Sequence, residues 1–142
     1  MQNRQHAARV LGASGLIPFV ALPVFVALGG PGWVIDLLRA YALLILAFLC
    51  GATWAEGLAR PADGPMPLLI TNFIVLASLL ALLLPLAWGL AWLAMLFVVQ
   101  ALTEWHWTRS GQQAWYRRLR ALLSTTVVLL LAATAVIGAR GG

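Results

Sequence analysis

Residues 66–102 read MPLLITNFIVLASLLALLLPLAWGLAWLAMLFVVQAL, an uncharged run divided only by Pro85 and the Trp88-Gly89 region. As one α-helix rising about 1.5 Å per residue it would reach about 55 Å, against a hydrocarbon layer of about 30 Å. The chain therefore turns back near Pro85, and the run reads as a tight hairpin of two membrane spans, 66–84 and 86–102. Further apolar runs of spanning length lie at 10–28, 37–59 and 121–139. The expected fold is an all-α integral membrane protein, a single bundle over residues 1–142 with five transmembrane helices.

Composition agrees with this reading. Hydrophobic residues make up 63% of the chain and charged residues 9%, with a mean hydropathy of +0.94, well outside the soluble range. At about 20 residues per crossing the spans and their loops use the whole chain, leaving no room for a soluble domain. Pro18 and Pro23 fall inside the first run and withdraw backbone donors from the carbonyls of Ser14 and Phe19, so the first span is expected to be kinked. A cleavable signal peptide over residues 1–29 is the competing reading of this segment, with Ala27-Leu28-Gly29 as a small-residue cleavage site. Its apolar stretch exceeds the usual length of about 7–15 residues, which favours retention as a span.

All nine basic residues are arginines. Threading five spans places Arg4, Arg9, Arg60, Arg109, Arg117, Arg118 and Arg120 on one side and Arg39 and Arg140 on the other. The positive-inside rule then sets the amino end inside and the carboxyl end outside. Tryptophan and tyrosine collect at membrane interfaces, and here they form two belts. Trp105, Trp107, Trp115 and Tyr116 mark the inner side, with Trp54 one turn deeper; Trp33, Trp88 and Trp92 mark the outer side, with Tyr41 near them. Topology thus accounts for the net charge of +5, and nucleic acid is not an expected partner.

The long connection between the last two spans reads TEWHWTRSGQQAWYRRLRAL from Thr103. Ser110 is placed to cap an interfacial helix that starts near 112 and runs over 112–120 into the final span. Its arginines have two readings. Anchoring to anionic lipid headgroups, at about 1 kcal/mol per arginine, is the commoner one; bidentate capture of a phosphate-bearing ligand or an acidic segment is the sharper one. The candidate inner-interface site is Trp54, Glu56, Trp115, Tyr116, Arg117, Arg118 and Arg120. No catalytic set assembles by spacing, and Glu56 and Glu104 are the only acid-base candidates near the spans. Metal and cofactor sites are not expected, because His6, His106 and the single Cys50 do not form a ligand cluster. Gln100 and Glu104, four residues apart, share a helical face. Asn72, Ser78, Ser124, Thr125, Thr126 and Thr134 can hydrogen-bond within or between helices. Gly12, Gly15, Gly51 and Gly57 would let helices approach closely.

Three segments carry a family resemblance: LGASGLIPFVALPVF, AFLCGATWAEGLA and AWYRRLRALLSTTVVLLL. In this order they resemble the family catalogued as domain of unknown function 3429, which is similar to the mitochondrial transmembrane protein 69 and includes many small bacterial membrane proteins. The resemblance runs from about Val10 to Leu131, with WYRRLR its most specific element. It implies a small polytopic bundle with no established activity. Trp54, Trp115, Tyr116, Arg117 and Arg120 match the family's recurring positions. Members tend to carry glycine soon after the second-span tryptophan, where this chain reads Trp54-Ala55-Glu56-Gly57.

Glu56 sits about one turn inside Arg60, in the order that favours an i to i+4 ion pair, so it is expected to pair with Arg60 or with an arginine of WYRRLR. The favoured function is a non-enzymatic scaffold or accessory subunit with a membrane-protein partner or a second copy. The alternative is a small carrier, or a bundle binding a lipid, quinone or anion in a pocket between the first helix, Trp54 and the arginines. The arginine-only basic set points to a bacterial inner membrane ahead of a mitochondrial one.

Overall fold

The computed structural model describes residues 2–15, 17–60, 62, 64–108 and 114–141. They form α1 (Gln2–Ser14), α2 (Ile17–Ala27), α3 (Gly32–Leu58), α4 (Met66–Ser78, extended by a 3₁₀ turn Leu79–Leu82), α5 (Leu86–Thr103, extended by a π-helical turn Glu104–Thr108) and α6 (Ala114–Gly141). No strand occurs among the described residues. Four stretches are long and apolar enough to cross a membrane: α1 and α2 in tandem, α3, α5 with its extension, and α6; α4 with its extension is a shorter apolar helix. Leu11, Leu44, Phe48, Phe73, Leu83 and Leu129 are all exposed. Apolar side chains on the outer surface of every helix suit a lipid solvent.

Several helix limits differ from those of the apolar runs. The first span is two helices separated at Gly15, where Tyr41 Oη donates to the Gly15 carbonyl at 2.8 Å. Tyr41 lies nine residues into α3, about 14 Å along it, and its ring packs on Phe19 within the bundle. α3 starts at Gly32, ahead of Leu37. Residues 104–108 continue α5 as helix instead of entering a loop. α6 is helical from Ala114, in keeping with the helix expected over 112–120, whose first two residues lie outside the described ones. Ser110, the expected cap, lies outside the described residues. Gly12 packs on Leu119 and Leu123 and Gly57 on Leu68, whereas a side chain at Gly51 would meet open space.

The turn between α2 and α3 follows directly from its glycines. Gly29 adopts φ +81°, Gly30 N–H reaches the Phe25 carbonyl at 2.8 Å and Gly29 N–H the Val26 carbonyl at 3.1 Å. This is a Schellman arrangement, which only glycine enters without steric cost, and Pro31 then bars continuation of the helix.

The core is a single cluster at the centre of the bundle. Phe19 of α2 meets Tyr41 at 5.0 Å and Phe97 at 6.4 Å between ring centres, over Leu38, Leu46, Ile74, Leu90 and Leu131. One polar group crosses it: Gln100 Nε2 donates to Thr53 Oγ1 at 2.6 Å and to the Leu49 carbonyl at 3.3 Å, while Cys50 Sγ donates to Gln100 Oε1 at 3.4 Å. Both ends of the buried amide are thereby satisfied, and α3 is tied to α5.

The α4–α5 hairpin turns at Pro85, as the length argument requires, and the turn is held by Arg39. An α-helix through this region would bond the Ala81 carbonyl to the N–H of residue 85, which proline lacks. Arg39 Nη1 supplies the missing donor to Ala81 at 3.3 Å and also reaches the Leu84 carbonyl at 3.4 Å; Asp36 holds its Nη2 at 2.9 Å. Trp92 Nε1 donates to the Ala77 carbonyl at 2.8 Å, where α4 tightens toward its 3₁₀ turn. Gly89 makes the approach possible, since a Cβ there would fall 2.6 Å from the Ala81 oxygen. Gly89→Ala is therefore expected to cost about 1–3 kcal/mol and to lower the thermal midpoint in detergent. Gly51→Ala, into open space, should leave it unchanged or raise it; equal midpoints for the two variants would contradict this account of the turn.

Candidate functional site

The end of α3, the start of α4, the end of α5 and the start of α6 lie together. Gly57 of α3 packs on Leu68 of α4, and Arg9 of α1 stands over the Trp115 ring at 5.5 Å from its centre. At this end Arg120 Nε donates to Glu104 Oε1 at 2.8 Å, with only 8% and 9% of the two side chains exposed. The pair joins the π-helical end of α5 to the second turn of α6. Arg120 also lies over the Tyr116 ring at 5.6 Å, and Tyr116 lies edge-on to Trp115 at 5.8 Å.

A cleft of about 340 Å³ opens beside this pair, between α5 and α6. Val98, Ala101, Leu102, Val128 and Leu129 make its wall apolar, and Glu104, Arg117, Arg120, Ser124 and Thr125 contribute polar groups. Two features distinguish those polar groups from others in the bundle. The buried Nη2 of Arg120 has no hydrogen-bond acceptor. Arg39 Nε is also unaccepted, but both Nη groups of Arg39 are bonded. Secondly, the hydroxyls of Thr71, Ser78, Thr103, Thr126 and Thr134 all donate to carbonyls of their own helices, and that of Thr53 accepts from Gln100. Those of Ser124 and Thr125, on the cleft wall, donate to none among the described residues. A charged donor left without a partner in a low-dielectric setting costs about 1–3 kcal/mol or more. An oxygen-bearing anion entering the cleft would recover it.

Of the residues expected at the site, Arg117 and Arg120 line the cleft, and Trp115 and Tyr116 pack behind it. Glu56 is half-buried and within electrostatic reach of the Tyr116 hydroxyl, as are Arg120 and Glu104. Trp54 is 39% exposed and lies outside the cleft, and Arg118 is exposed. The cleft lies between α5 and α6, and neither Trp54 nor a residue of the first helix is on its wall. A smaller apolar cavity of about 140 Å³ is walled by Leu11, Gly12, Phe19, Phe48 and Ser124 among others, with neither Trp54 nor an arginine on its wall. Gln100 and Glu104 do share a face of α5, but they serve different partners. Sequence reasoning missed Ser124 and Thr125 as cleft residues and Glu104 as the arginine's partner. The available signal was matched spacing: Gln100 and Glu104 on one helix, Arg120 and Ser124 on the next, each pair one turn apart.

The model of one protein family, described as Protein of unknown function (DUF3429), matches residues 4–136. The chain belongs to that family. No curated protein and no solved structure matches it. The match includes every helix that builds the cleft, so the ion pair and the cleft wall lie within the family's extent.

Removing one member of the ion pair leaves the other charge buried and unpaired. Glu104→Leu and Arg120→Met are each expected to destabilise the bundle by about 3–5 kcal/mol. The double variant, which removes both charges, should melt above either single variant. Thermal unfolding of the four proteins in one detergent checks this, and a double variant no more stable than the singles would refute it.

Proposed function

We propose that the protein is a non-enzymatic polytopic membrane protein that binds an anionic amphiphile at the arginine-rich end of its bundle. The observation that carries the proposal is the convergence on one cleft of the unaccepted Arg120 Nη2 and the unbonded Ser124 and Thr125 hydroxyls. Guanidinium and hydroxyl donors suit a phosphate or carboxylate headgroup, and the apolar wall of α5 and α6 suits the acyl chain attached to it. At about 340 Å³ the cleft is at the small end of the range for ligand sites, about 300–1,000 Å³. It fits a headgroup with the first part of a chain. Glu104, the only acid among the described residues of the cleft wall, is engaged by Arg120, which argues for binding over acid-base catalysis.

In this reading the arginine-rich end faces the cytoplasm by the positive-inside rule, the carboxyl end lies outside, and the membrane is a bacterial inner membrane. Trp105, Trp115 and the arginines then lie at headgroup level, where anionic lipid is concentrated. Pro18 and Pro23 kink the first span beside the smaller cavity. The scaffold or accessory-subunit reading has support of its own in a polar residue, Asn72, exposed on the surface of α4.

Native mass spectrometry after mild detergent extraction tests the proposal. The wild-type protein is expected to retain a co-purified species with one phosphate or carboxylate headgroup. Ala121→Phe, which fills the cleft without touching the ion pair, should lose it. Arg120→Lys keeps a charge for Glu104 but lacks the guanidinium fork, and should bind about tenfold more weakly, the scale of one charge-assisted hydrogen bond. A wild-type protein that carries no such species when anionic lipid is added back, or an Ala121→Phe variant that binds as well as wild type, would contradict the proposal.

A further inference from the structure

α4 presents two contrasting faces. Pro67, Thr71, Ile74, Ala77 and Ser78 are buried against the bundle. On the opposite face Leu69, Phe73 and Leu76 are 58%, 71% and 67% exposed, and Asn72 stands exposed among them. Asn72 is six residues into the helix, about 9 Å from its start, which is inside the hydrocarbon layer for a helix beginning at the interface. Among the described residues its amide has no hydrogen-bond partner. Lipid tails offer neither donor nor acceptor, so a carboxamide facing them loses its hydrogen bonds to water without replacement. The polar residues of the core are not left in this way: Gln100 is bonded by α3, and Thr71 and Ser78 by their own helix.

We infer that this face of α4 is the interface of a homodimer in which Asn72 pairs with Asn72 of a second copy. A carboxamide is both donor and acceptor, so it is complementary to itself across a two-fold axis. A second copy inserted with the same topology brings its own Asn72 to the same depth without any further requirement, whereas an unrelated partner would need a polar group placed there independently. The face carries no charged residue, so two copies meet without like-charge repulsion. Leu69 and Leu76, three residues before and four after, flank the amide at helical-neighbour spacing, and with Phe73 they supply the packing around it. The inference is independent of the anion cleft, which lies between α5 and α6.

The test is single-molecule photobleaching of the labelled full chain in liposomes over a range of protein-to-lipid ratios. The wild type is expected to dimerise. Asn72→Leu should weaken the dimer by about tenfold, the scale of an interhelical hydrogen bond in a membrane, and Asn72→Gln should preserve most of it. Thermal unfolding of Asn72→Leu should match or exceed the wild type, which separates loss of pairing from loss of fold. In a Cys50→Ala background, Phe73→Cys should form an intermolecular disulfide in native membranes. A wild-type chain that stays monomeric at high density, an Asn72→Leu variant that dimerises equally, or Phe73→Cys cross-linking only to a different protein would overturn the inference.

Discussion

A carboxylate and a guanidinium buried in a lipid-facing bundle are tolerable only together, and Glu104 and Arg120 are placed to meet at 2.8 Å. That requirement shapes the arginine-rich end of the molecule. It brings the end of α5 against the beginning of α6, where α5 continues as a π turn through Glu104–Thr108, a form often found at functional sites. It also holds Arg120 over Tyr116. One carboxylate does not saturate a guanidinium, so Nη2 is left without an acceptor beside a cleft. The structural role of the pair and the proposed binding role of the cleft thus come from the same residue.

The same accounting explains the breaks in the helices. Inside a bilayer each freed carbonyl needs a donor from the protein. Among the described residues three side chains provide one: Tyr41 at Gly15, Arg39 at Ala81 and Trp92 at Ala77. Arg39 and Trp92 close the hairpin at the end opposite the ion pair. The bundle is therefore fastened at both ends by side chain contacts and at its centre by Gln100, with apolar packing between.

Much of the architecture was legible because it depends on length and charge. The run 66–102 had to fold back at Pro85, and the apolar stretches had to be helices. Tertiary bonds were not legible. Arg39 looked like one of two arginines at the sparse end, and nothing in its spacing reveals the carbonyl of Ala81 forty-two residues away. Tyr41 read as an interfacial residue because aromatics collect there, but its hydroxyl answers a helix break that depends on the packing of α2 on α3. The site was legible in part. The WYRRLR segment drew attention to Arg117 and Arg120, while Glu104, Ser124 and Thr125 joined them only when α5 and α6 were brought face to face. Trp54 is not on the cleft wall, since position along a helix does not specify which side a residue occupies.

The central claim is that the open valence of Arg120 is filled by an anionic headgroup lying in the α5–α6 cleft. An experimental structure of the protein in nanodiscs of native lipid tests it most directly. The account predicts density for a headgroup oxygen within hydrogen-bonding distance of Arg120 Nη2, with a chain running along Val98, Leu102 and Leu129. A cleft empty of lipid-like density, with Nη2 bonded to a protein carbonyl or carboxylate, would contradict it.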